Sequence, residues 1–177
     1  PLQKILFEGK RFFIKRDDLT GCELSGNKVR KLEYILEDAK RKKADIIFTC
    51  GGEQSNHARA TTIAAKRIGL NTKLFLWGKE SSNANGNLFL NKMYRTEIEY
   101  LNKTEYDKVN KIMFDERMVL LKKKKNAYVI PEGGSTTLGI WGYINFINEL
   151  KKQVDLSKID SIVAACGSGG TAAGMLV

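Results

Sequence analysis

A chain of 177 residues that is 42% hydrophobic and 28% charged can bury one or two modest cores, and its composition is neither disordered nor collagen-like. No apolar run approaches the roughly 20 residues that cross a bilayer. The opening PLQKILFEGKRFF also lacks a signal-peptide core with a small-residue cleavage site, so a cytoplasmic protein with no membrane partner is expected. Three cysteines, Cys22, Cys50 and Cys166, are odd in number and lack metal-ligand spacing, which argues against a disulfide framework or a bound metal.

The formal charge of +10 raises nucleic acid as a partner, because cations release counterions from phosphate backbones. The basic residues gather instead at 40–43 and 122–125, at the ends of expected helices, where cations complement the macrodipole. With no aromatic-interleaved platform beside them, a solvated lysine-rich surface is expected, and no nucleic-acid partner.

In chain order, short apolar runs rich in β-branched residues read as strands at 11–16 (RFFIKR), 45–50 (DIIFTC), 72–77 (TKLFLW), 97–101 (EIEYL), 127–130 (AYVI) and 159–166 (IDSIVAAC). Helical patterns fall between most of them. Leu32, Ile35, Leu36 and Ala39 make one apolar face; Ala60, Ile63, Ala64 and Ile68 make a second, stopped by Gly69; Ile140, Tyr143, Ile144 and Ile147 make a third. Strands and helices alternating at this pitch imply an α/β fold with parallel sheets and covering helices.

In open α/β sheets ligands sit beyond the carboxyl ends of strands, so the loops after strands are where chemistry is sought. Two of these loops are glycine-rich. GGEQSNHAR follows DIIFTC and sets Ser55, Asn56 and the only histidine, His57, at a helix start; CGSGGTAAG follows IDSIVAAC. In the latter, Gly167, Gly169 and Gly170 allow close backbone approach, Ser168 and Thr171 offer hydroxyls, and the next helix supplies free N–H groups, which together suit a phosphate. Gly167, Gly169 and Ala172 also satisfy the loose dinucleotide pattern, and a packing turn without a ligand is the third reading.

Lys28 stands in the mouth of a helix, after Ser25, Gly26 and Asn27 and beside Arg30 and Lys31. A helix N-terminus and neighbouring cations both disfavour an ammonium, so a depressed pKa and Schiff-base chemistry are expected here, with an ordinary surface lysine as the alternative.

The stretches KRDDLTG, GNKVRKLEY, GGEQSNHAR, NANGNLFL, PEGGSTTLG and CGSGGTAAG occur in one order over nearly the whole chain. That order resembles the pyridoxal-phosphate enzymes of the tryptophan-synthase-β-like fold (fold type II), and within them the D-cysteine desulfhydrase and 1-aminocyclopropane-1-carboxylate (ACC) deaminase family. The resemblance implies two open twisted α/β domains, pyridoxal 5'-phosphate as cofactor and a small amino acid as substrate. It makes Lys28 the Schiff-base lysine and Asn56 the partner of the cofactor's phenolic oxygen. Gly167, Ser168, Gly169, Gly170 and Thr171 become the phosphate cup. Ser55 and the helix N–H groups after it would receive the substrate carboxylate, and Ser55 would take part in proton transfer.

The implied reaction is α,β-elimination of D-cysteine to pyruvate, ammonia and sulfide. Histidine after QSN matches the desulfhydrase-like members, whereas the deaminase pattern has glutamine there. His57 is placed with Ser55 and Asn56 at the substrate, where it either orients Ser55 or the cofactor or does acid–base work itself. Glu53 stands where the family usually has an aliphatic residue, which puts a carboxylate near the cofactor unless it points to solvent.

The family continues for about as many residues again beyond GTAAGMLV. The remainder is expected to hold the partner of the pyridine nitrogen and the tyrosines that tell the two substrates apart, so the chain resembles the N-terminal half of an enzyme, a homodimer when whole. By resemblance, 1–31 belongs to the large cofactor domain, 32–138 forms the smaller domain and 139–177 returns to the large one. With the large domain's sheet cut short, apolar strand edge is exposed, and the half alone is not expected to be active or stable. Two rival readings stay open: a nicotinamide-dependent Rossmann protein, which gives Lys28 and QSNH no task, and an inactive remnant that keeps the fold.

Overall fold

The computed structural model describes residues 1–177. A hairpin comes first, pairing β1 (Leu2–Phe7) antiparallel with β2 (Lys10–Lys15). Its turn places Glu8 and Gly9 at φ 47 and 73, and a turn with both central residues at positive φ matches the right-handed twist of the flanking strands. Only the second of these strands was legible in the sequence, and the hairpin stands apart from the parallel sheet.

The chain then alternates helix and strand: α1 (Lys28–Arg41), β3 (Ile46–Gly52), α2 (Asn56–Arg67), β4 (Asn71–Trp77), α3 (Gly86–Met93), β5 (Glu97–Leu101), α4 (Lys103–Tyr106), α5 (Val109–Lys122), β6 (Ala127–Val129), α6 (Thr137–Lys151) and α7 (Gly170–Leu176). The four later strands form one parallel sheet in the order β5-β4-β3-β6. The lysine-rich runs fall at the ends of α1 and α5, as expected.

Successive β3 side chains point to opposite faces and so seed two cores. Ile47 packs with Leu32, Ile35, Leu36 and Ala39 of α1 and Ala60, Ile63 and Ala64 of α2. Phe48 and Cys50 pack with Phe75 of β4 and Val109 and Met113 of α5. Burying each large aliphatic or aromatic side chain contributes about 1.5–3 kcal/mol, and the sheet is covered on both faces.

Three expectations need correction. Ile68 is 37% exposed, because it caps the end of α2 and lies beyond the buried stripe. The buried face of α6 is Gly139, Gly142, Tyr143, Phe146 and Leu150, so of the expected face only Tyr143 is fully buried. The reason is the approach of α1: a Cβ at Gly142 would lie 2.2 Å from the Arg30 carbonyl oxygen, so the glycine side of α6 turns inward. Finally, 159–166 forms no strand. Val163 is 94% exposed, and without a neighbouring strand the segment has nothing to satisfy its N–H and C=O groups in a ladder. The expected domain limits at 31/32 and 138/139 fall inside α1 and α6.

Candidate active site

Lys28 is the first residue of α1, and the loop before it is tied down from several directions. Arg30 donates to both carboxylate oxygens of Asp17 at 2.8 Å and to Glu149 of α6 at 2.8 Å, and the Gly26 N–H donates to the Asp17 carbonyl at 2.8 Å. Burial lowers the Lys28 amine below its ordinary pKa, while the Glu132 carboxylate opposes the shift. The direction is the expected one, but its cause is burial rather than the neighbouring cations.

Lys31, one turn further along α1, is 1% exposed. Its amine donates to the Gly133 carbonyl at 3.2 Å and to Ser135 Oγ at 3.3 Å. Burial first, and then the charge of Lys28, lower its pKa to about 8. The turn after β6 (Glu132–Gly134) therefore meets both amines and the cup: a Cβ at Gly133 would fall 3.6 Å from Lys28 Nζ and 2.2 Å from Ser168 Oγ. Gly133 also has φ 72, so glycine is required there twice over.

The cup itself is drawn to the same place. Ser168 Oγ is 2.7 Å from Ser135 Oγ, and Asn27 Nδ2 donates to Thr171 Oγ1 at 3.2 Å. A Cβ at Gly170 would lie 2.5 Å from Ser135 Oγ and 3.0 Å from Lys31 Nζ, whereas the positions beside Gly167 and Gly169 are open. Amines, hydroxyls and bare glycine backbone thus converge, which is the donor set that an anionic phosphate needs.

Ser55 caps α2, its Oγ accepting from the Ala58 N–H at 3.1 Å. Gly51 makes room for it, since a Cβ there would lie 2.7 Å from that hydroxyl. Asn56 is exposed, and its Oδ1 accepts from Asn87 Nδ2 at 3.0 Å, so Asn87 of the NANGNLFL stretch holds its amide. A cavity of about 1010 Å³ opens past Ser55 between the loops after β3 and β4, with Gly52, Glu53, Gln54, Trp77 and Glu132 on its wall. Glu53 leans against Gly78 on that wall: a Cβ on Gly78 would lie 3.2 Å from its carboxylate.

His57 is 3% exposed and does not bond Ser55. Its Nε2 lies 2.8 Å from Thr49 Oγ1, and Thr49 donates its only proton to the Ile130 carbonyl at 2.8 Å. Thr49 must then accept from His57, which fixes the neutral tautomer with hydrogen on Nε2. Burial first, then the charges of Lys28 and Lys31, lower this imidazole to about 3.

The family model for pyridoxal-phosphate dependent enzymes matches residues 1–177. The chain belongs to that family. It is 43% identical over 178 residues to the mitochondrial bifunctional D-cysteine desulfhydrase/1-aminocyclopropane-1-carboxylate deaminase of Arabidopsis thaliana, covering 94% of this chain and 44% of the relative. It is 38% identical over 176 residues to a D-cysteine desulfhydrase of Klebsiella pneumoniae, covering 96% and 53%. The crystal structure of an ACC deaminase homologue superposes with a TM-score of 0.90 at 41% identity, covering 99% of this chain and 54% of that one. The chain spans about half the length of the relatives it matches.

Pyridoxal phosphate is accordingly the cofactor of this pyridoxal-phosphate enzyme chain, and the residues present fit it: a half-buried amine at Lys28 stands beside a cup of hydroxyls, a second amine and open glycine backbone. The family match removes the nicotinamide reading. Sequence reasoning missed Lys31, Ser135, Asn87 and Thr49 as site residues. Lys31 had a signal, the three-residue spacing from Lys28 on a helix; Ser135 and Asn87 lay inside quoted stretches without an assigned task; Thr49 had none. No helix is long and apolar enough to cross a membrane.

Proposed function

We propose that the full-length protein carrying this chain is a pyridoxal-phosphate-dependent lyase that removes sulfide from D-cysteine, leaving pyruvate and ammonia. The observation that carries this reading is the convergence of Lys28, Lys31, Ser135 and Ser168 around Gly133, next to the capped helix start at Ser55. A histidine after QSN, and the desulfhydrase relatives, favour D-cysteine.

Lys28 is the residue that would link the cofactor, and its burial disfavours the charged form of the amine. Gly167, Ser168, Gly169, Gly170 and Thr171, with Lys31, hold the phosphate. Asn56, its Oδ1 held by Asn87, would offer its amide nitrogen to the phenolic oxygen. Ser55 and the first N–H groups of α2 receive the substrate carboxylate, where a helix start favours an anion. When bound, pyridoxal phosphate supplies an electron sink for the pair left at Cα. The Lys28 amine would take the α-proton of the bound amino acid, after which the β-thiol would leave as sulfide and water would complete hydrolysis to pyruvate and ammonia. Ser55 assists proton transfer. His57, buried against Thr49, supports this machinery from beneath instead of touching substrate.

The second reading is ACC deamination to 2-oxobutanoate and ammonia, favoured by the close superposition on an ACC deaminase homologue. ACC has no α-proton, so it demands different side chains around the same cofactor. We further propose a cytoplasmic homodimer, and a division into 1–31 and 139–177 of a large domain around a small domain at 32–138, with α1 and α6 shared across the limits.

Sulfide release from D-cysteine by the full-length protein, with a Lys28→Ala control, tests the function. Release that vanishes with Lys28→Ala is the expected result. Formation of 2-oxobutanoate from ACC without sulfide would move the assignment to the deaminase, and neither product would leave a remnant.

A further inference from the structure

Arg59 is 7% exposed and sits on α2, one turn beyond Ser55 and Asn56. A guanidinium taken out of water is costly unless its donors are met, and burial presses on its charge here. The nearest acidic side chain, that of Glu23, is engaged by Arg67 and by the Tyr94 hydroxyl. Arg59 instead spends its donors on two main-chain oxygens, those of Glu23 and of Ser25, the latter at 3.0 Å. Both belong to the loop that delivers Lys28, and Ser25 precedes that lysine by three residues.

We infer that Arg59 is a positioning residue that clamps the loop leading to Lys28 onto the helix that starts at Ser55 and Asn56. The inference rests on the reading of Lys28 as the cofactor lysine. Two carbonyls two residues apart suit the planar fork of a guanidinium, and a single ammonium meets one of them at a time. Asp17, Thr171 and Tyr143 hold the loop from its other side, and from α2 the Arg67–Glu23 pair reaches only a side chain, so Arg59 is the tie between α2 and the loop's main chain. Without it, the amine and the helix end that receives substrate would no longer share one fixed geometry, and displacements on the ångström scale cost reacting groups heavily.

The test uses the full-length protein with Arg59→Met and Arg59→Lys. Hydrogen exchange of amides 23–28 is read in the cofactor-free protein, and the rate at which added pyridoxal phosphate becomes trappable on Lys28 by borohydride is read beside it. We expect Arg59→Met to speed exchange across the loop, slow linkage roughly ten- to a hundredfold and lower kcat with little change in KM. Arg59→Lys should fall between parent and Arg59→Met, and it decides by the same measurements if Arg59→Met does not fold. Unchanged exchange, or faster exchange with parental linkage and kcat, overturns the inference. A parent protein that never links cofactor to Lys28 overturns the proposed function instead, and exchange still tests the clamp.

Discussion

His57 gives its one proton to Thr49, and Thr49 gives its own to the Ile130 carbonyl, so the only imidazole in the chain is a neutral strut between β3 and the turn that follows β6. A Cβ on Gly134 in that turn would lie 3.4 Å from the His57 ring. The strut therefore sits under the turn that meets Lys28 and the cup.

Acid should act through this imidazole. Its folded pKa of about 3 lies below the ordinary 6.5, so between those values the unfolded chain binds a proton that the folded one does not. Stability then falls as pH drops from about 6.5 toward 3, by up to about 1.4 kcal/mol per pH unit from this group. Chemical denaturation of His57→Gln and parent across that window should show a shallower slope for the variant. Equal slopes would mean that the imidazole is not held neutral. If His57 were instead the acid–base group, His57→Gln would abolish turnover; the strut predicts that turnover survives.

Thr49→Val keeps the shape and removes both hydrogen bonds, leaving the His57 N–H and the Ile130 carbonyl without partners inside the protein. The expected loss is about 1–3 kcal/mol for each stranded group, read as a lower urea midpoint at constant slope. A midpoint within error of the parent's would show that other groups or water replace Thr49.

Lys31 titrates in the opposite part of the scale. With a folded pKa of about 8 against 10.5 when free, the folded state holds fewer protons between those values, so stability rises as pH climbs from about 8 to 10.5. Lys31→Met should remove that rise and weaken binding of inorganic phosphate or of the cofactor by on the order of tenfold, about 1.4 kcal/mol. Phosphate titrations followed by thermal shift would read the second effect, and parental affinity would remove Lys31 from the cup.

Gly51→Ala would place a methyl 2.7 Å from Ser55 Oγ and push that hydroxyl out of its cap. The helix start should lose about 0.5–2 kcal/mol, and KM for the amino acid should rise more than kcat falls. A variant with parental KM would separate the Ser55 cap from substrate binding.

The order of six motifs along the sequence carried the resemblance to the family and, with it, the cofactor, whereas the helix starts at Lys28 and Asn56 and the parallel sheet were legible because local periodicity and glycine runs are written in adjacent positions. The apolar faces of α1 and most of α2 were legible for the same reason. Tertiary structure decided the rest. The face of α6 depended on how closely α1 could approach Gly142, and 159–166 failed as a strand because a ladder needs a neighbour. Lys31 reads as one more cation in a basic stretch until the turn at Gly133 and the hydroxyl of Ser135 close over it. The task of His57 followed from Thr49, eight residues away, and from Ile130, far along the chain. Periodicity states which side of an element is apolar, whereas the partner that meets a buried polar group is chosen only when distant segments pack and every donor must find an acceptor.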